Sequence, residues 1–377
     1  MSTIDIAHKQ WASRPADERF TTLAALAASV RARKTNSVDG RVDLRQVEVE
    51  VNGNFTLVGS NRRAILNHWT AGQLLSQLAV PRDLLARLDP NVASAVVNNR
   101  LTKAIAEEDM NPKQRVLIDN GTSTVRAFHG RRYERVWDAD VVDTILKWMP
   151  EGWRNPVAYA NGKWGSKLEP SGLYAGDRDM FAFLIDGGDW APGQPNVGSF
   201  DVDGEQFNQG LIVKNSETGS ASLGFMTFMF DVICGNHYVW GAKEVNVMSA
   251  RHAGQAYHVL EGLKTFLKMQ ASTKGIASQR QQFALAVREA KATIASSVTR
   301  KREETLDTAY SKFGRVSGIT RPIITQALDA MLLEEKGVKG TAYDWLAGFT
   351  AVARQMPNAD DRNKLETVAS KLLLASK

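Results

Sequence analysis

From Leu223 to Cys234 almost every side chain is apolar, and across Asn215-Ser216-Glu217-Thr218-Gly219 this run faces a second one, Leu211 to Lys214. A strand without polar alternation has both faces covered, so the pair predicts the centre of a sheet packed on two sides. Two further hairpins are read from their turns. Val47, Val49 and Val51 alternate with Glu48 and Glu50 before Asn52-Gly53, with a return strand at Phe55 to Val58. Arg115 to Ile118 and Thr122 to Phe128 flank Asp119-Asn120-Gly121. Both turns carry residues that tolerate positive φ. Between Pro150 and Gly210, a stretch rich in Gly, Pro, Asp and Trp, one strand is expected, Met180 to Ile185.

Elsewhere the apolar residues recur at three-and-four spacing. Leu23, Leu26, Ala27 and Val30 predict an N-terminal helix from about Pro15 to Arg33, followed by a polar link to Arg41 with Asp39-Gly40 as a turn pair. Helices are expected over Trp69 to Leu78, Pro81 to Leu88 and Val92 to Ala106, and after Asp138 as an N-cap. Past Gly241 the pattern is helical throughout: Ala253 to Met269, Gln279 to Tyr310, Pro322 to Leu333, Tyr343 to Arg354 and Arg362 to Leu374. The fold class is therefore α+β, a central antiparallel sheet with hairpins flanked by helices and a mostly helical C-terminal region. The division expected is a helix and linker over 1–40, an α+β core domain over 41–250 and the helical region over 251–377.

The 377 residues carry 47 Lys and Arg against 41 Asp and Glu, a formal charge of +6, and 43% are hydrophobic. That composition excludes a disordered polymer. The single cysteine, Cys234, excludes an internal disulfide and a multi-cysteine zinc site. No apolar run reaches the ~20 residues of a membrane span, so the reading is a soluble, cytoplasmic protein with no membrane partner.

Catalytic signatures fail in turn: no phosphate-binding Gly-rich loop, no Gly-x-Ser-x-Gly and no His-Glu-x-x-His occurs. No catalytic residue, cofactor or metal is therefore assigned. Asp201-Val202-Asp203 and Asp177-Arg178-Asp179 place carboxylates at alternate positions, which would suit Mg²⁺ on a strand, but in Gly-rich stretches such pairs are usually solvated turn residues, and that reading is preferred. Cys234 and His237 raise a thiolate reading, but side chains three apart on a strand point to opposite faces, which favours a structural cysteine.

The basic residues carry the functional expectation. Arg126, Arg131, Arg132 and Arg135 cluster on and after the second hairpin, among Phe128, His129, Tyr133 and Trp137. Cations neutralise phosphates and release counterions, and flat rings stack on exposed bases. Lys163 and Lys167 lie beside Trp164 in the irregular stretch, which also holds Trp153 and Trp190 and is preceded by Trp148. The expected nucleic-acid-binding residues are Arg126, Arg131, Arg132, Tyr133, Arg135, Lys163 and Lys167. Lys274, Arg280, Arg288, Lys291, Arg300, Lys301 and Arg302 form a second cationic set. Ordinary alternatives stand beside these readings: solvated charged faces, and tryptophans anchoring a loop.

Lys214-Asn215-Ser216-Glu217-Thr218-Gly219-Ser220, followed by the strand ending Phe230-Asp231-Val232-Ile233-Cys234-Gly235-Asn236, resembles a family catalogued as domain of unknown function 932. Gly130-Arg131-Arg132-Tyr133 and Leu74 to Leu88 resemble further elements, so the likeness spans roughly residues 60 to 260 and more loosely the C-terminal helices. Asp231 stands where the family often has Arg. The resemblance implies a phage or plasmid setting, and a more distant analogy to phage single-strand annealing proteins implies a non-enzymatic, oligomeric DNA binder. The expected function is thus binding or annealing of single-stranded DNA by a homo-oligomer in recombination or replication. The alternative is a protein-interaction module, such as an inhibitor of a host defence system.

Overall fold

The computed structural model describes residues 14–374 apart from 51–53, 59–62, 130–132, 160–167, 171, 187–198, 232–236, 240–246, 251, 253–255, 335–337, 354 and 357–358. After a 3-10 turn at Ala16–Glu18 and a short strand β1 (Arg19–Phe20), helix α1 spans Leu23–Asn36. It starts at Leu23 rather than near Pro15 because the Thr22 side chain accepts the Ala25 N–H and caps it there. The segment expected to be a linker with a turn at Asp39-Gly40 is instead a strand, β2 (Ser37–Asp43). Local turn preference is overridden by a continuous register with a later strand, from Ser37↔Asp119 to Asp43↔Lys113.

Strands β3 (Val47–Val49) and β4 (Phe55–Val58) form the first hairpin, in the register Val47↔Leu57, and β5 (Arg63–Leu66) extends it. Helices α2 (His68–Gln77), α3 (Arg82–Leu85) and α4 (Pro90–Ala106) follow, and then the second hairpin, β6 (Lys113–Asp119) with β7 (Thr124–His129). These strands make a six-stranded sheet in the order β2-β6-β7-β5-β4-β3. Its buried face carries Val116, Val125 and Phe128 against Leu74, Leu75, Val97 and Leu101 of the helices. At the β3 edge, Asn98 of α4 accepts the Val49 N–H at 3.0 Å, and Asn98 and Ser94 both donate to the Val49 carbonyl. Side chains from a helix thus occupy the backbone groups that an exposed edge would offer.

Helix α5 (Asp138–Trp148) leads into the second sheet, and its N-cap is Trp137, so Asp138 is the first helical residue and not the cap. Then come β8 (Trp153–Arg154), β9 (Val157–Tyr159), β10 (Leu168–Pro170), β11 (Leu173–Ala175), β12 (Met180–Asp186), β13 (Phe200–Val202), β14 (Glu205–Asn215), β15 (Leu223–Asp231), β16 (His237–Val239) and β17 (Val247–Ala250). All but β9 and β10 join β1 in one antiparallel sheet, whose longest pairing, β14 with β15, is the predicted apolar hairpin. Gly210 faces the Phe228 ring, where a Cβ would stand 2.1 Å from a ring carbon, so any larger residue there would displace that ring.

The C-terminal region is helical: α6 (Ala256–Gln270), α7 (Thr273–Ala292), α8 (Arg302–Phe313), α9 (Arg321–Glu334), α10 (Ala342–Ala353), α11 (Ala359–Ala369) and α12 (Lys371–Leu374). The single helix expected from Gln279 to Tyr310 is two, because Ala295 and Ser296 turn their N–H groups to the Gly340 carbonyl and Ile294 bridges Thr341. Phe283, Val287, Trp345 and Phe349 pack with Val202, Phe207 and Met229 of the sheet, while Phe266 and Leu267 of α6 join α1 and α5 on another face. The structure is therefore mixed α and β, with two mainly antiparallel sheets and helices gathered C-terminally. Among the described residues no helix is long and apolar enough to cross a membrane.

Candidate anion-binding cleft

Alternation along the first sheet sorts its side chains. Val42, Val116 and Phe128 lie on the helix side, so Asp39 and Arg41 of β2, Lys113 and Arg115 of β6, and His129 of β7 share the opposite face. There they line a cleft of about 760 Å³ together with Gly40, Asn111 and Gln114. Arg41 stands directly opposite Arg115, and Arg115 opposite His129. Like charges opposite one another destabilise a pair of strands unless something neutralises them. Asp39 does this for Arg115 through a fork of two bonds, 2.8 and 2.6 Å. Arg41 is exposed and makes no side-chain hydrogen bond or ion pair among the described residues. Lys113 faces Asp43, whose carboxylate is already held by Arg45.

Beneath the cleft lies a buried polar hub. Glu217, in the turn between β14 and β15, accepts Arg126 Nη1 at 2.8 Å through one oxygen and the Asp138 N–H at 3.0 Å through the other. Its backbone carbonyl accepts from Arg135 and from the Tyr133 hydroxyl. Arg135 Nε also reaches Asp39 at 3.2 Å, which ties the hub to the cleft wall. The hydroxyls of Ser216, Thr218 and Ser220 all donate to the Arg178 carbonyl. Gly219 takes φ +75° beside the Tyr133 ring, a backbone conformation that glycine supplies. Tyr133 stacks on His129, with centroids 3.9 Å apart, and on His252 at 5.2 Å.

Burial governs titration here. It is the first cause holding His129 down at about 3, with Arg135 next, and it lowers His252 as well. It pushes the Asp138 carboxyl up to about 7, with Glu217's charge adding to the effect and Arg33 opposing it. The Asp138 side chain accepts from Asn215 at 2.8 Å, and Arg33 stands 3.9 Å away.

This geometry corrects the expected nucleic-acid surface. Arg126 and Arg135 are 2% and 5% exposed, so they hold the fold and offer nothing to a phosphate. Tyr133 spends both its hydroxyl and its ring inside the hub. Arg131, Arg132, Lys163 and Lys167 lie outside the described residues, as do Trp164, Trp190 and Cys234. Trp153 is core, and Trp148 lies under the ammonium groups of Lys147 and Lys268. The second cationic set is largely paired: Arg280 with Asp186, Arg288 with Asp203, Lys291 with Glu205, Lys301 with Glu304 and Arg302 with Asp329. Asp203 sits in the β13–β14 turn with φ +53°, and Asp201 binds the Gly204 N–H and Gln206. Among the described residues no three His, Cys, Asp or Glu side chains gather closely enough to hold a metal.

The sequence does not single out the cleft cations, because Asp39-Gly40 reads as a turn. The alternation of Asp39, Arg41 and Asp43 with Val38, Gly40 and Val42 was the available signal. No curated protein and no solved structure matches the chain. A family profile does match, over residues 163–368, and it covers the β14–β15 hairpin and the hub glutamate. As that match takes in more than half of the chain, the protein belongs to the family described as a domain of unknown function, DUF932.

Proposed function

We propose that the protein binds single-stranded nucleic acid, with DNA as its target, through the cleft on the first sheet and without catalysing a reaction. The observation that carries this reading is the Arg41–Arg115 pair, directly opposed on one face with Lys113 beside them and a single carboxylate, Asp39, among the lining residues. An anion seated there relieves the like-charge contact that Asp39 only half neutralises. Strands form the walls and no described helix projects from them, so the cleft receives the phosphates of a flexible strand rather than entering a duplex groove. Asn111 supplies an uncharged hydrogen-bonding group beside the cations. Recombination or replication on a mobile element is the setting this reading suits.

The test is binding of a labelled single-stranded oligonucleotide across a salt series, with a duplex of the same sequence for comparison. Arg41→Ala with Lys113→Ala should weaken binding and flatten the slope of log affinity against log salt by about 1 to 2, since each lost cation releases roughly 0.7 counterion fewer from a single strand. Unchanged affinity and slope in the folded double variant would remove the cleft from the binding surface.

A further inference from the structure

We propose that β2 is a self-complementary edge through which two copies of this chain pair, strand against strand, about a two-fold axis at Gly40. The proposal stands apart from the nucleic-acid reading. The opposite edge of the same sheet is closed, since Asn98 and Ser94 occupy the Val49 backbone. At β2 no described strand follows on the outer side.

The Leu44 N–H bonds the Pro112 carbonyl, and the Asn36 carbonyl accepts from Asn120, so the even-numbered residues of β2 turn their backbone groups to β6. Alternation then turns the N–H and C=O of Asp39 and Arg41 outward. The segment reads Ser37-Val38-Asp39-Gly40-Arg41-Val42-Asp43. Laid antiparallel on itself with Gly40 on the axis, it sets Asp39 against Arg41 of the second copy, and Arg41 against its Asp39. Those two pairs are the ones with outward backbone groups, so each exchanges a pair of N–H to C=O bonds.

On the other face Val38, 44% exposed, meets Val42 of the second copy. Opposite charges and β-branched neighbours are the cross-strand pairs that stabilise a ladder. The isologous contact is also closed, so it stops at a dimer. Arg41, without a partner among the described residues of one copy, gains a carboxylate. Paired residues share a face, so both clefts open on the same side of one continuous sheet.

The test uses the full chain without nucleic acid. Light scattering over a concentration series should give twice the 41.5 kDa chain mass. Arg41→Pro deletes an outward N–H without touching the β6 pairing, and Arg41→Asp sets like charges against Asp39. Both should return the chain mass with an unchanged far-ultraviolet dichroism spectrum. Gly40→Cys supplies a positive readout, because a Cβ there meets only Val38, at 3.5 Å, and the two Cα atoms across the axis lie about 4.5 Å apart, within disulfide range. Mild oxidation should cross-link Gly40→Cys into a covalent dimer and leave wild type, with Cys234 as its only thiol, uncrosslinked. A wild-type chain that stays at the single mass up to 100-fold dilution from saturation overturns the proposal. So does an oligomer that survives both Arg41 variants, or a Gly40→Cys protein that does not cross-link.

Discussion

Removing one member of the Arg126–Glu217 pair tests whether the densest cationic stretch of this sequence serves the fold or a ligand. The two groups are 2.8 Å apart, with side chains 3% and 0% exposed. At an effective dielectric of about 20, their attraction is about 6 kcal/mol. Losing hydration costs several kcal/mol for each ion, so the intact pair contributes little beyond an apolar one. Breaking it is another matter: Arg126→Met leaves Glu217 buried beside Asp138, and Glu217→Gln leaves an unpaired guanidinium. Each single variant should therefore lower the unfolding free energy by about 3–5 kcal/mol. The double variant Arg126→Met with Glu217→Gln leaves no orphaned charge and should cost about 1–3 kcal/mol less than the sum of the singles. Urea unfolding followed by dichroism measures all three, and oligonucleotide binding by the folded fraction should keep its salt slope. Singles that cost under about 1 kcal/mol, or strictly additive costs, would refute a buried, coupled pair.

Two more outcomes follow from the same contacts. His129, held near 3 by burial and then by Arg135, stays neutral in the fold but takes a proton at about 6.5 when unfolded, so it removes stability as pH falls below that value. Asp138, raised to about 7 chiefly by burial, keeps its proton in the fold above its unfolded value near 3.9, so it removes stability as pH rises through that window. Between about pH 4 and 6.5 the two oppose each other. A pH series of urea midpoints should show Asp138→Asn steepening the loss on acidification and His129→Gln softening it, and parallel profiles would contradict both assignments. Asn98→Ala strips the Val49 N–H of its partner and opens the β3 edge, which should cost about 1–3 kcal/mol and raise self-association in sedimentation runs.

The legible elements were those whose signal is local. The apolar run at Leu223 and the turns at Asn52-Gly53 and Asp119-Asn120-Gly121 each specify a hairpin through adjacent residues, and each pairing is present. Strand β2 was illegible for the opposite reason. Its pairing partner begins some 70 residues later, and the pair Asp39-Gly40 prefers a turn until β6 supplies a ladder and Arg115 claims the carboxylate. The break after Ala292 escaped for a similar cause, because the groups that end the helix come from Gly340 and Thr341. In the cationic stretch, charge density did not tell which side chains are buried. Sequence shows how many arginines a segment has, but their use depends on Glu217, about 90 residues away from Arg126.

The hub and the cleft use different cations, Arg126 and Arg135 in the one and Arg41, Lys113 and Arg115 in the other. Arg126 and Arg135 end on the Glu217 side chain and carbonyl, inside the segment that the DUF932 profile covers, whereas Arg41, Lys113 and Arg115 all precede that segment. Arg115, through Asp39 and the Tyr133 carbonyl, Arg135, through Asp39, and His129, stacked on Tyr133, connect the two groups. A change at Glu217 therefore acts on β7, Tyr133 and the start of α5 together, because Arg126 and the Asp138 N–H bond its carboxylate and the Tyr133 hydroxyl bonds its carbonyl. A change at Arg41 or Lys113 meets no such constraint, since neither is built into the hub. The matched segment supplies Glu217 to the hub, and the chain before it supplies the cations of the cleft. Substitutions at the hub should register in stability, and substitutions on the cleft face in binding.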